Sequence, residues 1–223
     1  MLLIATTILI SGKNPKNTAV SASAAFLTGF VPVIDAGHGG ADGGAVSLSG
    51  ALESEINLDI ALKMEQIFAF YGVPPVMTRR SNEINYSKNS KTIREKKVED
   101  QKNRVKLVNS TDNPVLISIH QNTYGSGTIS GAQVFYAATD ASREFALSMQ
   151  QILTTSLDMT NPRMIVKAPK NIYLMANINC PAILIECGFL SNKVEDALLQ
   201  TESYRLKIAA TIAAGYLNFE QMR

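Results

Sequence analysis

Cysteine, histidine and net charge are all scarce in this 223-residue chain, and each shortage removes a class of function. The two cysteines, Cys180 and Cys187, are too few for a zinc held by thiolates. They flank the strand-like run AILIE, whose six or seven extended steps of about 3.3 Å hold their backbones roughly 20 Å apart, beyond disulfide reach. Both are expected to be free thiols, and their scarcity is compatible with export from a bacterium. A formal charge of +2 is too small to mark a nucleic-acid binder. The densest basic stretch, KNSKTIREKKVEDQKNR, carries Glu95, Glu99 and Asp100 among its cations and reads as a solvated loop and helix face. No internal repeat or low-complexity segment is present. The leading apolar run, Leu2 to Ile10, falls short of the ~20 residues of a membrane helix. Ala22-Ser23-Ala24 has the small-residue character of a signal cleavage site, although Lys13 and Lys16 follow the apolar run instead of preceding it. Residues 1–30 are therefore read as a leader, either signal or anchor, and residues 31–223 as the functional domain.

Nearly half the residues are hydrophobic, enough for one sizeable core. From residue 31 onward, short apolar runs (FVPVID, VPPVMT, PVLISIH, AQVFYA and PAILIE) alternate with helical patterns. In EINLDIALKMEQIFAFYG, residues Ile56, Ile60, Met64, Ile67 and Phe68 share one face, and Gly72 suits the C-terminal cap. Further helices are expected over residues 92–108, 141–157 and 204–217. This alternation predicts a single α/β domain with a mostly parallel, mixed sheet of about six strands and helices on both faces.

The stretch VIDAGHGGADGG breaks from a strand into a glycine-rich turn. It is not a phosphate cradle: Gly37 and Gly39 want a third glycine where Asp42 stands, and no Gly-Lys-Ser or Gly-Lys-Thr follows. The chain's two histidines, His38 and His120, each stand at the C-terminal end of an apolar strand, and a third strand ends at Glu186. Functional groups of open α/β sheets gather beyond the carboxyl ends of the strands, so three separate segments deliver polar side chains to one edge. Two imidazoles and a carboxylate suit a catalytic zinc with an open fourth position. Asp35, Asp42, Glu53, Glu55 and Glu186 are the candidate oxygen donors, and spacing alone does not choose among them. Asp35 is also placed to support the turn or to accept the second ring proton of a ligand histidine.

Taken in order, VIDAGHGGADGGAV, LESEINLDIA, LISIHQN, GAQVFY and PAILIECGFLSN resemble the zinc-dependent N-acetylmuramoyl-L-alanine amidases of bacterial cell-wall metabolism, over about Pro32 to Leu217. The resemblance implies His38, Glu53 and His120 as zinc ligands, with Glu53 preferred to Glu55 because NLDIA sets the register of the following helix. It implies Glu186 as the catalytic glutamate, taking a proton from the attacking water and giving it to the departing amine. The implied substrate is peptidoglycan, cut at the amide between the lactyl group of N-acetylmuramic acid and L-alanine. The loops NTYGSGTISG and SNEINYSKNSKTIREKK are candidate groove walls, and Asn122 and Arg79 are candidate substrate contacts. Within the family the compact form most resembles the spore-cortex, germination-specific amidases. That branch implies an envelope or spore-cortex location, a role in making muramic δ-lactam together with a deacetylase, and in some clostridial members a lipoprotein partner. The sequence departs from the family's frequent residues at Ala36, Gln121 and Gln133. Two other readings compete: a different zinc peptidase such as a carboxypeptidase, and a wall-binding module without catalysis.

Overall fold

The fold was taken from a computed structural model, which describes residues 29–125, 127–157 and 162–221. The leader expectation lies outside the described residues up to residue 28. Six strands form one sheet: β1 (Val31–Ala36), β2 (Val76–Met77), β3 (Pro114–Asn122), β4 (Gln133–Tyr136), β5 (Val166–Lys167) and β6 (Ala182–Phe189). Their order is β2-β1-β3-β6-β4-β5, all neighbours pairing in parallel except β4 against β6. The mixed α/β sheet expected from the alternation is therefore present. The two-residue strands β2 and β5 lie at its margins, and β5 escaped the reading because so short a run has no period to detect.

The helices are α1 (Glu53–Phe70), α2 (Ile93–Asn109), α3 (Asp140–Ser156), α4 (Tyr173–Ala176), α5 (Lys193–Leu199) and α6 (Glu202–Gln221). The four long ones match the expected segments. In α1, Ile56, Ile60, Met64 and Phe68 are buried, as their spacing requires, and Gly72 follows with φ +73°. Thr92 caps α2 in a reciprocal capping box with Glu95.

The two faces of the sheet are unequally covered. On one, α1, α3 and α6 bury a large core with Val115, Ile117, Ile119, Ile183 and Ile185. On the other, α2 and α4 supply Val108, Leu174 and Met175 over Val33, Leu116 and Leu184. Because side chains alternate along a strand, Ser118 and His120 share the face of Leu116, and Glu186 shares that of Leu184. Apolar residues hold this second face near the middle of the strands, and polar ones take over at their C-terminal ends. No helix among the described residues is long and apolar enough to cross a membrane.

Candidate metal centre

His38, Glu53 and His120 meet at that polar end, and their ligand atoms lie within 4.8 Å of one another. Among the described residues they form the one group of three or more histidine, cysteine or acidic side chains so arranged. His120 comes from the end of β3, His38 from the turn after β1, and Glu53 from the first turn of α1. Glu53 sits between the imidazoles, its Oε2 3.3 Å from His38 Nε2 and its Oε1 3.1 Å from His120 Nδ1. The rings lie 5.0 Å apart, edge to face.

The glycines make this convergence possible. A Cβ on Gly37 would sit 2.3 Å from the His120 ring, and one on Gly44, whose φ is +71°, would sit 2.6 Å from Glu53 Oε2 and 2.9 Å from the His38 ring. The glycine-rich turn therefore clears room for the side chains of His38, Glu53 and His120.

Surrounding groups fix each of the three. His38 donates from Nδ1 to Asp42 Oδ2 at 2.9 Å, which leaves Nε2 facing Glu53. A carboxylate in this position selects the tautomer and orients the ring, so the role expected of Asp35 belongs to Asp42. Asp42 is also paired with Lys97 at 2.8 Å. Glu53 accepts from the backbone N–H groups of Ala45 (2.9 Å) and Gln121 (3.1 Å) and from Asn57 Nδ2 (3.3 Å). Gln121, one of the family departures, donates from Nε2 to Asn57 Oδ1 and so orients Asn57. Burial opposes ionisation of Glu53, yet hydrogen bonds from His120 and His38 hold it well below the usual carboxylate range. Burial likewise opposes charge on His38, but Asp42 and Glu53 outweigh it and raise its pKa to about 9.

Glu186 stands beside His120 in the β3–β6 register. Its Oε2 is buried with no hydrogen-bond partner among the described residues. Burial pushes its pKa up to about 7, the nearby His120 opposing the rise and Glu53 adding to it. Gln133 lies opposite Glu186 in the β4–β6 register; its Oε1 accepts from Arg163 and its Nε2 donates to the Met164 carbonyl. A glutamate there could only accept.

The remaining candidates are placed elsewhere. Asp35 is buried and accepts from Thr78, Ser118 and Arg104. Glu55 is exposed. Arg79 corrects the expectation of a substrate contact: it is 8% exposed, and its five N–H donors engage the carbonyls of Ala36, Gly37, Ser54 and Ser81 and the side chain of Asn82. No donor remains for a ligand. The side chain of Asn122 accepts from the N–H of Thr123, which closes the start of its own loop. Of the two proposed walls, the 81–97 segment packs on the glycine turn, with Gly40 donating to the Asn82 carbonyl and Ala41 to Tyr86, and its residues from Ile93 onward belong to α2. The segment after β3 is anchored by Asn192, which donates to the carbonyls of Gly127 and Ile129.

The sequence reading missed Asn57 and Arg104, and it noted Gln121 only as a departure from the family's frequent residue. Asn57 carried a signal: it is a polar residue beside Ile56, Ile60 and Met64, four residues after Glu53. Arg104 lay hidden in the charged stretch read as solvated, although it is 3% exposed.

The chain is similar to known proteins over most of its length. The family described as N-acetylmuramoyl-L-alanine amidase matches residues 33–218. The germination-specific N-acetylmuramoyl-L-alanine amidase of Bacillus subtilis is 38% identical over 194 residues, covering 86% of this chain and 81% of that protein. Among solved structures, the CwlD amidase of Clostridioides difficile in complex with the GerS lipoprotein superimposes with a TM-score of 0.83 at 36% identity, over 86% of this chain and 99% of that one. The catalytic domain of CwlV, an N-acetylmuramoyl-L-alanine amidase from Bacillus (Paenibacillus) polymyxa var. colistinus, gives 0.72 at 33% identity, over 86% and 99%.

Proposed function

The chain belongs to the N-acetylmuramoyl-L-alanine amidase family and is a peptidoglycan amidase; from that premise we propose that His38, Glu53 and His120 hold a zinc ion and that Glu186 carries the proton. The observation that bears this reading is the convergence of two imidazoles and a carboxylate from three separate segments. Zinc takes nitrogen and carboxylate-oxygen ligands at about 2.0–2.2 Å, and the ligand atoms of the three residues lie within 4.8 Å of one another, close enough for small side-chain adjustments to bring all three onto one ion. Three protein ligands leave a position open, as catalytic zinc requires.

When bound, zinc supplies a water whose pKa falls to about 7 and a positive charge facing the amide oxygen. The protein does the rest. Asp42 keeps His38 in one tautomer, and the donors around Glu53 keep it ionised and aimed. Glu186 accepts the proton of the attacking water and returns it to the leaving nitrogen of L-alanine, a task that needs a carboxylate beside the metal but off it.

We extend the reading to the spore cortex. The Bacillus subtilis relative is named for germination, and removing the stem peptide frees the lactyl carboxyl from which, with a deacetylase, the muramic δ-lactam is made. A lipoprotein partner has support in the Clostridioides difficile complex. On this reading the chain acts in the cell envelope or spore cortex, with residues 31–223 as the catalytic domain and residues 1–30 as a signal or anchor leader. Digestion of purified sacculi with the zinc-loaded protein tests the chemistry: intact stem peptides beginning with a free L-alanine are expected, whereas a carboxypeptidase would release only terminal residues. Cortex from a strain lacking this chain is expected to lack δ-lactam; normal δ-lactam content would refute the spore role.

A further inference from the structure

The backbone at His38 is unusual in two respects. His38 has φ +58°, a left-handed conformation that a residue with a Cβ avoids unless its surroundings impose it. Beyond the end of β1, the carbonyls of Ala36, Gly37 and His38 find their partners on side chains. Arg104 donates from Nη1 to the Ala36 carbonyl at 2.7 Å and from Nη2 to that of His38 at 2.6 Å. Arg79 donates to the Ala36 and Gly37 carbonyls at 2.9 and 3.1 Å, and Asn57 also reaches Gly37.

Arg104 is itself aimed from two sides. Asp35 on β1 accepts from Nη1 at 2.6 Å, and Asp100, one turn earlier on α2, accepts from Nε at 2.9 Å and lies 2.8 Å from Nη2. Thr78 and Ser118 donate to Asp35 in turn. The chain of contacts runs from the sheet through a fixed guanidinium to the peptide of a candidate ligand. Burial of Arg104 beneath an otherwise charged, solvent-facing helix has no counterpart in the packing of α2, where Val108 is its only other buried residue.

We propose that Arg104 is a positioning residue for the metal site, holding His38 in its left-handed conformation so that the imidazole points at Glu53. This rests on the reading of His38 as a ligand. A guanidinium is required because its planar fork reaches Asp35, Asp100 and two carbonyls at once, which a lysine ammonium with three donors and a shorter reach does not. Arg104→Lys therefore keeps a charge beside Asp35 while releasing the His38 carbonyl.

The test uses the full chain freed of metal and then titrated with zinc against a chromogenic chelator, with cobalt as a spectroscopic stand-in. Arg104→Lys is expected to bind zinc about 10–100-fold more weakly, the range for losing an outer hydrogen-bond partner, with altered cobalt d–d bands. At saturating zinc it is expected to show lowered kcat and an unchanged KM for peptidoglycan. Asp100→Asn, which leaves Arg104 in place but loosens it, provides a milder version should the lysine variant fail to fold, with a smaller loss of affinity in the same direction. A purely structural role would lower the melting temperature and leave zinc affinity and cobalt spectrum unchanged; that result in either folded variant overturns the proposal. Failure of the metal reading looks different, because the unaltered chain would then bind no zinc.

Discussion

Replacing Gly37 with alanine tests whether the site depends on the close approach of the glycine turn to the imidazole behind it. The added methyl would lie 2.3 Å from Cε1 and Nε2 of His120, against an ordinary contact of 3.4 Å or more, so the ring must retreat by about 1 Å. The backbone itself raises no objection, since Gly37 is not among the positive-φ residues. Any such shift disturbs the contact of His120 with Glu53, to which its Nδ1 now stands at 3.1 Å. Misplacing a reacting group by about 1 Å costs on the order of 100-fold in rate, and a disturbed ligand orientation costs about 10–100-fold in metal affinity, or roughly 1.4–2.7 kcal/mol. Overpacking adds about 1–3 kcal/mol of lost stability. Zinc competition titration and stem-peptide release from sacculi report the two effects separately. A Gly37→Ala protein that binds zinc and cuts peptidoglycan like the unaltered chain would refute the idea that the glycine turn is shaped around the ligands.

Glu186→Gln should retain zinc but lose about 10²–10⁴-fold in turnover, the usual contribution of a positioned acid–base group; normal turnover measured on sacculi would remove Glu186 from that role. Glu53→Ala should weaken zinc by more than the roughly 10–100-fold expected for an outer partner, and unchanged affinity in a competition titration would transfer the ligand role to Asp42. Chelation should abolish hydrolysis and lower the melting temperature, because zinc at about 100 times its Kd stabilises the folded state by roughly 2.7 kcal/mol. A melting curve indifferent to chelator would exclude tight binding to the native state.

How far each feature could be read from sequence depended on whether its cause was local. The helix α1 announced itself through Ile56, Ile60, Met64 and Phe68, because a 3.6-residue period is written into consecutive positions. The strands before His38 and His120 were legible as apolar runs ending in polar residues. Glu53 and Glu55 were indistinguishable by spacing, and family resemblance chose between them; the physical difference is that Glu53 faces Ala45 and Gln121 across a fold-dependent gap while Glu55 faces solvent. Arg79 and Arg104 were misread for one reason. A buried guanidinium can exist only when the fold surrounds it with carbonyls and carboxylates, and those of Ala36, Gly37, His38 and Asp35 come from a strand more than forty residues away. Short elements such as α4 and α5 contain too few positions to show a period at all.

The same nonlocality separates the two glutamates chemically. Glu53 is met by two backbone N–H groups and an amide, donors that stabilise a negative charge beside the His120 and His38 contacts that hold its pKa low. Glu186, half-buried on β6, has one buried oxygen, Oε2, that no donor among the described residues touches, and burial raises its pKa to about 7. A carboxylate already satisfied by fixed donors is a poor carrier of protons, because protonation breaks those bonds; one with an oxygen free of donors gives up little when that oxygen takes a proton. These environments suit the roles proposed above, Glu53 as a holder of charge and Glu186 as a mover of protons. Exchanging the environments should exchange the properties: removing the Asn57 donor by Asn57→Leu should raise the pKa of Glu53 and make zinc binding more sensitive to acid, visible as a steeper loss of affinity on lowering pH. Equal pH dependence in both proteins would mean that the donors around Glu53 merely fill space.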